Sequence, residues 1–523
     1  MKLVMLNILV LVSTGAFSAP STSFQFDSWV GHSLEKLYTD GILESAHWHT
    51  RPKSRFEVAK RLDDVLVKPS NRLNVQLYSK LLDEFSLERT LLAKQRGGRF
   101  KVRGSIQVRK DKNAHRIAPA LLLAARYFHV NGLTFYQEFE VAKNSTSKHP
   151  KQGKTAGQRV NPWYGGYVGD FSRVFVVFPI ASGFRIKVGR DAIFWGAGMR
   201  SAIGISDNSP NFDLISLQGQ IGPVMGTAFA AKLDPMWATQ PRRYLANRYL
   251  AGHRLDWQVS RTIQMAITEL VLYSGEQRSL EWYYINPILP YYASQYNSEN
   301  NNRADSNDNV MFLFDFSFRP LNGWRLWAEF LVDDFSYTSR DDPNDLAIVI
   351  GAELANLLSN KQLVVSLTYT RVNRWTYTHL VETNSFTHFG SVIGHRIGND
   401  ADLAMIKTDY WVNQDWLICL RYQLERQGAA DIGDRFEGEN EHHSIRFPSG
   451  PVKKQNHLSF DFFYEPILSK TSRRWQKQCW QICGSYQFTI ANQDKEELEE
   501  TTTRQHQLVF QLRCNFELAG VNH

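Results

Sequence analysis

Asp333 and Asp334 stand side by side, and together with His395 they are the residues best suited to acid–base chemistry. A carboxylate can orient and charge an imidazole, which then activates water. No Gly-x-Ser-x-Gly elbow and no His-Glu-x-x-His pair accompanies them. A second chemistry fits more of the chain. Flat aromatic faces stack on sugar C–H groups, planar hydrogen-bonding groups read hydroxyls, and Arg or Lys adds attraction when the sugar is acidic. Trp163, Tyr164, Tyr167, Trp195, Tyr291, Tyr292, Tyr296, Trp375 and Tyr377 supply such faces in or near loops. The polar candidates are Arg190, Arg254, Asp256, Glu269, Glu329, Asp333, Asp334, His395 and Asp402. With Trp195, Trp375 and Tyr377 they make the candidate ligand-binding set. Each has a competing structural role, as interface girdle for the aromatics or as a lumenal salt-bridge network for the charges. The expectation is binding without catalysis, cofactor or metal.

The cysteines agree with that. Cys419, Cys479, Cys483 and Cys514 are too few for a disulfide framework. Cys479 and Cys483 share one strand-like segment, about 13 Å apart and beyond disulfide reach. A cross-strand bridge from Cys419 stays open, and no His lies at zinc-ligand spacing beside them.

The elements that must carry these residues fall into three parts. Lys2, the apolar run from Leu3 to Val12 and the small residues around Ala16 and Ser18 read as a secretory signal over 1–18. Residues 19–96 are expected to form a helical domain, with helical periodicity from Asp27 to about Ala93. Asp27 is a candidate N-cap for a helix with Trp29, Leu34, Leu37 and Tyr38 inward, closed by Gly41. Ser54 and Glu57 form a capping box before Phe56, Ala59, Leu62 and Leu66. Leu73, Leu77, Leu81, Phe85 and Leu92 mark a third apolar stripe.

From 97 to 523 the period becomes 2, the signature of strands. Val310, Phe312, Phe314, Phe316 and Phe318 alternate with polar positions, as do Trp324, Leu326, Ala328, Phe330 and Val332. The opposite faces carry Asp315, Arg325, Glu329, Arg421, Glu425 and Asp461. An apolar stripe from Leu508 to Leu518 closes the series, although the chain runs on to His523 instead of ending on an aromatic residue. Alternation alone also fits a soluble sandwich. The signal, the 13% aromatic content and the late apolar strand favour a transmembrane barrel of antiparallel strands, with roughly 16 to 18 strand-like segments after Arg99. The polar tracts 143–158, 297–309 and 428–455 then read as extracellular loops, and 191–217 as a segment folded into the lumen.

After the signal no window approaches the roughly 20 apolar residues of a membrane helix, and mean hydropathy is −0.36. The charge of +8, or +7 without Lys2, suits acidic partners such as uronic-acid polysaccharide or anionic lipid. Nucleic acid does not fit an exported chain.

One family resemblance joins these parts. Gly189-Arg190-Asp191 and Trp195-Gly196-Ala197-Gly198 are similar to the GR…WGPG block of the Wzi-type capsule assembly proteins, with Ala197 in the place of Pro. Gly252-His253-Arg254-Leu255-Asp256, Glu269 and Tyr273, Asn286-Pro287, and the run from Ala328 to Phe335 follow in family order. So do Tyr369-Thr370-Arg371 and the run from Gly394 to Asp402, while Leu34 to Tyr38 and Arg51 to Arg55 resemble the family's helical leader. The resemblance implies a plugged barrel of about 18 strands in a Gram-negative outer membrane, holding capsular or exopolysaccharide in a lectin-like way. It also implies a periplasmic helical domain, for which export machinery and peptidoglycan are the candidate partners. Lipopolysaccharide would surround a monomeric barrel. The alternatives are a general or sugar-selective porin and a barrel hydrolase.

Overall fold

The computed structural model describes residues 29–44, 47–51, 53–65, 68–91, 96–111, 114–128, 132–143, 167–198, 202–239, 242–294, 308–334, 344–357, 361–435, 446–466, 477–493 and 501–522. The signal, the Asp27 cap, Leu66, Leu92, Trp163, Tyr164 and Tyr296 lie outside them.

Four helices come first: α1 (Trp29–Thr39), α2 (Arg55–Asp63), α3 (Arg72–Glu84) and α4 (Ser86–Leu91). Gly41, at φ 78°, ends α1, with its N–H donating to the Tyr38 carbonyl at 3.0 Å and the Ile42 N–H to Leu37 at 2.9 Å. That reciprocal pair satisfies carbonyls the helix would otherwise orphan, and it needs the left-handed residue that glycine supplies. The capping box forms as expected: the Glu57 N–H donates to Ser54 Oγ at 3.1 Å and the Ser54 N–H to Glu57 Oε2 at 2.9 Å. Leu34, Leu37, Ala59, Leu62, Leu81 and Phe85 share one small core.

Eighteen long strands follow. They are β1 (Arg96–Asp111), β2 (Ala114–Phe128), β3 (Thr134–Lys143), β4 (Tyr167–Ala181), β5 (Phe184–Asp191) and β6 (Phe212–Ile221). Next come β7 (Val224–Lys232), β8 (Tyr244–Gln258), β9 (Ile263–Gly275), β10 (Asn309–Phe318), β11 (Trp324–Asp334) and β12 (Asp345–Ala355). The last six are β13 (Leu363–Val372), β14 (Ala401–Trp411), β15 (Trp416–Gln427), β16 (Lys453–Tyr464), β17 (Lys477–Gln493) and β18 (Thr501–Asn522). Each pairs antiparallel with the next, and β1 pairs β18 from Arg96↔Asn522 to Asp111↔Gln507, which closes the barrel. The tail from Ala519 to Asn522 is therefore part of the closing strand.

Connections such as 182–183, 222–223 and 412–415 make a short-turn end, while 144–166, 192–211, 276–308, 373–400 and 428–452 lie at the opposite, long-loop end. Of the loops expected from sequence, 144–158, 297–307 and 436–445 lie outside the described residues, and Lys453 to Gln455 belong to β16. The inward segment is 192–211 and not 191–217, because Phe212 onward pairs with β5 as strand β6.

Phe314, Phe316, Leu326, Phe330, Leu420, Leu458, Phe460, Leu508 and Phe510 are exposed on the outer wall, which is the apolar face that alternation selects. The inner wall is less uniform than expected. Leu270, Leu272, Leu313, Leu331, Val349 and Leu403 point inward and pack with Trp195, Ile203, Ile205, Tyr377 and Ile393. The lumen beside β8 to β14 holds a hydrophobic core because loops fill it and exclude water.

The helical domain seals the short-turn end. Lys80 Nζ donates to the Gln414 and Glu465 carbonyls at 3.0 and 2.7 Å, and Arg319 donates to the Tyr38 and Leu43 carbonyls at 2.6 and 2.8 Å. Leu73 and Leu77 of α3 pack against Trp411, Leu417 and Cys419. Cys419, Cys483 and Cys514 form no disulfide, so the bridge left open for Cys419 is not formed.

Candidate functional site

Two inward loops and an arm of the helical domain meet inside the barrel. The arm, 47–51, crosses from the short-turn end, and its Thr50–Arg51 pairs antiparallel with Phe194–Trp195 of the β5–β6 loop. The Gly196 N–H donates to the His49 carbonyl at 2.9 Å and the Trp195 N–H to Ile205 at 2.8 Å. The β13–β14 loop locks onto this junction: the Tyr377 hydroxyl donates to the Ile203 carbonyl at 2.6 Å, and the Ser206 N–H to Ile393 at 2.9 Å. Arg248 of β8 ties the same loop to the wall through the Thr383, Ser385 and Thr387 carbonyls at 2.6, 2.8 and 2.9 Å.

The expected site residues divide by what they touch. Arg254 and Asp256 are buried where the arm meets β8. The Arg254 guanidinium lies 2.7 Å from Asp315 and 3.1 Å from Asp256, and donates to Thr50 Oγ1 at 2.7 Å. Thr50 Oγ1 donates to Asp256 at 2.5 Å, and His49 bonds Asp315 and, at 2.8 Å, Ser317. The guanidinium lies between the two buried carboxylates and offsets the cost of their burial. Glu329 of β11 accepts the Gly198 and Ile203 N–H groups at 2.8 and 3.0 Å, and Asp333 accepts the Tyr377 N–H at 2.5 Å. These four residues fasten the plug to the wall.

Trp195 is 1% exposed and packs edge-on against Phe229 at 5.1 Å, so its ring is core and offers no free face for stacking. Tyr377 is fully buried, stacked on Phe386 at 5.7 Å, and Trp375 is buried beside Arg374 at 4.5 Å. Asp333 and His395 meet Tyr377 at opposite ends: Asp333 takes its backbone N–H, while the His395 N–H donates to its phenol oxygen at 3.3 Å. Burial and then Arg396 push the His395 imidazole down to about 3, so it is neutral. Asp402 pairs with Arg426 at 2.5 Å and accepts the Tyr369 hydroxyl at 3.0 Å. Arg190 pairs with Asp213 at 2.7 Å near the long-loop end. The Asp334 side chain lies outside the described residues.

Arg190 and Asp402 face the outside of the barrel, on the faces of the exposed Val188 and Ile406, and Glu269 likewise differs from its expected place. It faces the outside of the barrel and not the lumen, because Thr268 and Ser274 on β9 contact lumenal partners and odd positions must point outward. There it pairs with His253 at 2.8 Å and accepts the Tyr292 N–H at 2.8 Å, so the charge is capped by protein.

A cluster that spacing did not reveal lies between α1 and the wall. His32, Asp409 and Cys419 bring metal-ligand atoms within 4.8 Å of one another. Their separation of 377 residues from His32 to Asp409 hides the arrangement from any local motif. Lys407 Nζ, 2.5 Å from Asp409, already supplies the counter-charge. A cavity of about 50 Å³ beside the junction is lined by Arg51, Arg185, Lys187, Ser216, Gln218 and Thr227 among others.

In fold the chain is similar to Wzi of Escherichia coli, an outer-membrane protein involved in group 1 capsule assembly and described as a carbohydrate-binding β-barrel. The TM-score is 0.58 at 14% identity, over 96% of this chain and 99% of that one. It also matches OccD3 of Pseudomonas aeruginosa, with TM-score 0.45, 10% identity, 82% of this chain and 92% of that one. For OccAB2 of Acinetobacter baumannii the values are 0.45, 9%, 82% and 98%. No curated protein matches the chain in sequence. Residues 96–467, nearly the whole barrel, match the family described as capsule assembly protein Wzi, and the chain belongs to that family.

Proposed function

We propose that the protein is a plugged outer-membrane barrel that holds acidic capsular or exopolysaccharide at the cell surface through its long loops. The single observation that carries this is the interlocked plug. A lumen crossed by a strand pairing, a hydrophobic core and buried ion pairs is built to stay closed, which suits a binding protein better than a diffusion pore. Short turns on the periplasmic side and long loops outside are the rule for such barrels. That orientation puts the helical domain in the periplasm, within reach of export machinery or peptidoglycan, and residues 1–18 serve as the export signal.

The sequence of the β3–β4 connection adds chemical direction. Lys148, Lys151, Lys154 and Arg159 precede Trp163 and Tyr164, with no Asp or Glu between 144 and 166. Cations beside aromatic faces suit an acidic sugar. The buried residues of the candidate set support the reading by fixing the plug to the wall.

A sugar-selective pore is the second reading. Arg103, Gln107, Gln481, Gln511 and Arg513 are half-buried on the inner wall of β17, β18 and β1, away from the hydrophobic core. Saturable binding of detergent-purified protein to acidic capsular glycans on an array, without steady single-channel conductance, is the expected result. Large stable conductance without glycan binding would establish the pore instead.

A further inference from the structure

The described part of the β9–β10 connection, 276–294, does not rise from the barrel. Odd positions of β8 and β9 face outward, and its residues bond to those positions in descending order. Asn247 Nδ2 donates to the Arg278 carbonyl at 3.3 Å, and the Tyr249 hydroxyl to the same carbonyl at 3.4 Å. Six residues below Asn247, the His253 ring lies 4.3 Å from Tyr291, and the Tyr292 N–H reaches Glu269. The connection thus runs about 15–20 Å down the outside of the wall, given the rise per strand residue.

Tyr284 and Tyr291 are fully buried against Tyr249, Ala251, Val271 and Tyr273, which fixes this flap rigidly. Its other side is apolar and open: Trp282 is 85% exposed and Ile288 84%. Directly below the flap, Leu255, Trp257, Met265 and Ile267 belong to the exposed outer apolar face. The flap therefore continues the membrane-facing surface.

Cations lie at the level of its upper half. Lys232 is exposed on the outer face opposite Tyr249. Arg243 lies over the exposed Trp237 ring at 4.8 Å, and Arg242 pairs with Glu276 at the start of the flap. Trp237 itself pairs with Leu245, another outward position. Aromatic and apolar groups below, with Lys and Arg above, match the order of acyl chain and phosphate in an anionic lipid.

We propose that this ledge binds a phosphorylated glycolipid of the lipid A type in the outer leaflet. Lys232, Arg242 and Arg243 take the phosphates, while Trp282 and Ile288 lie along the acyl chains. The proposal rests on the orientation given above, with the long-loop end outside.

The test adds lipid A or phosphatidylglycerol to the delipidated full chain and counts bound lipid by native mass spectrometry. Wild type is expected to retain lipid A in preference to phosphatidylglycerol. Lys232→Ala with Arg243→Ala should retain about thirtyfold less lipid A, as expected for two near-surface cations, and Trp282→Ala should also lose it. Equal retention of both lipids, unchanged retention in the variants, or a dimer that Trp282→Ala dissolves would overturn the ledge. Maleimide labelling of Gln277→Cys in intact cells reports orientation separately. Absent labelling with selective lipid A binding faults the orientation, whereas labelling with unselective binding faults the ledge.

Discussion

Replacing Glu329 by Ala removes the one side chain that accepts both the Gly198 and the Ile203 N–H groups. Glu329 is 1% exposed, and a side chain on Gly196 would already meet its carboxylate at 2.7 Å, so the native contact leaves no room for water. Each buried N–H left without a partner costs about 1–3 kcal/mol, and two cost about 2–6 kcal/mol. Ala opens space that water can enter, recovering part of this, so local stability of the β5–β6 loop should fall by about 2–4 kcal/mol. In hydrogen exchange that is about a 30- to 900-fold loss of protection at Gly198 and Ile203. Glu329→Gln should fall between, since its oxygen accepts one N–H while its NH2 faces the other. Wild-type exchange rates at both amides in Glu329→Ala would refute the view that this carboxylate holds the plug.

Arg254→Ala strands Asp256 and Asp315 without their shared cation, and should destabilise the plug by about 3–5 kcal/mol. Urea midpoints measured by heat-modifiable gel migration check this, and Arg254→Met with Asp256→Asn should recover part of the loss. A pH effect follows from His395 and His47. Burial lowers His395 to about 3 and His47 to about 4 from an ordinary value of 6.5, so both stay neutral in the fold while the unfolded chain protonates. Their stability contribution is complete above pH 6.5 and falls as pH drops toward the folded values, by about 1.4 kcal/mol per unit for each. Exchange protection around His395 should be lower at pH 5 than at pH 7 after correction for intrinsic rates, and His395→Gln should flatten the difference. Equal protection at both pH values would contradict it.

Local rules carried the elements. The capping box at Ser54 and Glu57, the turn at Gly41 and the period-2 stripes all depend on neighbours a few residues away, so they are legible in order along the chain. The family blocks were legible for the same reason. Alternation also tells which side chains share a face, but not what that face meets. Leu313 and Leu331 sit on the face read as polar, and only the folding of 192–211 and 373–400 into the lumen turns that stretch into a core.

Glu269 shows the limit most directly. Its block placed it among lumenal charges, yet strand register turned it outward, where a flap supplies His253 and a backbone N–H as cover. His32 and Asp409, or Thr50 and Asp256, are brought together by closure over hundreds of residues. Sequence by itself determined strands, helices and family, because period, caps and short motifs are local. Tertiary structure alone decided which side of the wall each charge faces and which aromatic rings are buried in the plug, because burial belongs to pairs of distant segments and not to either one.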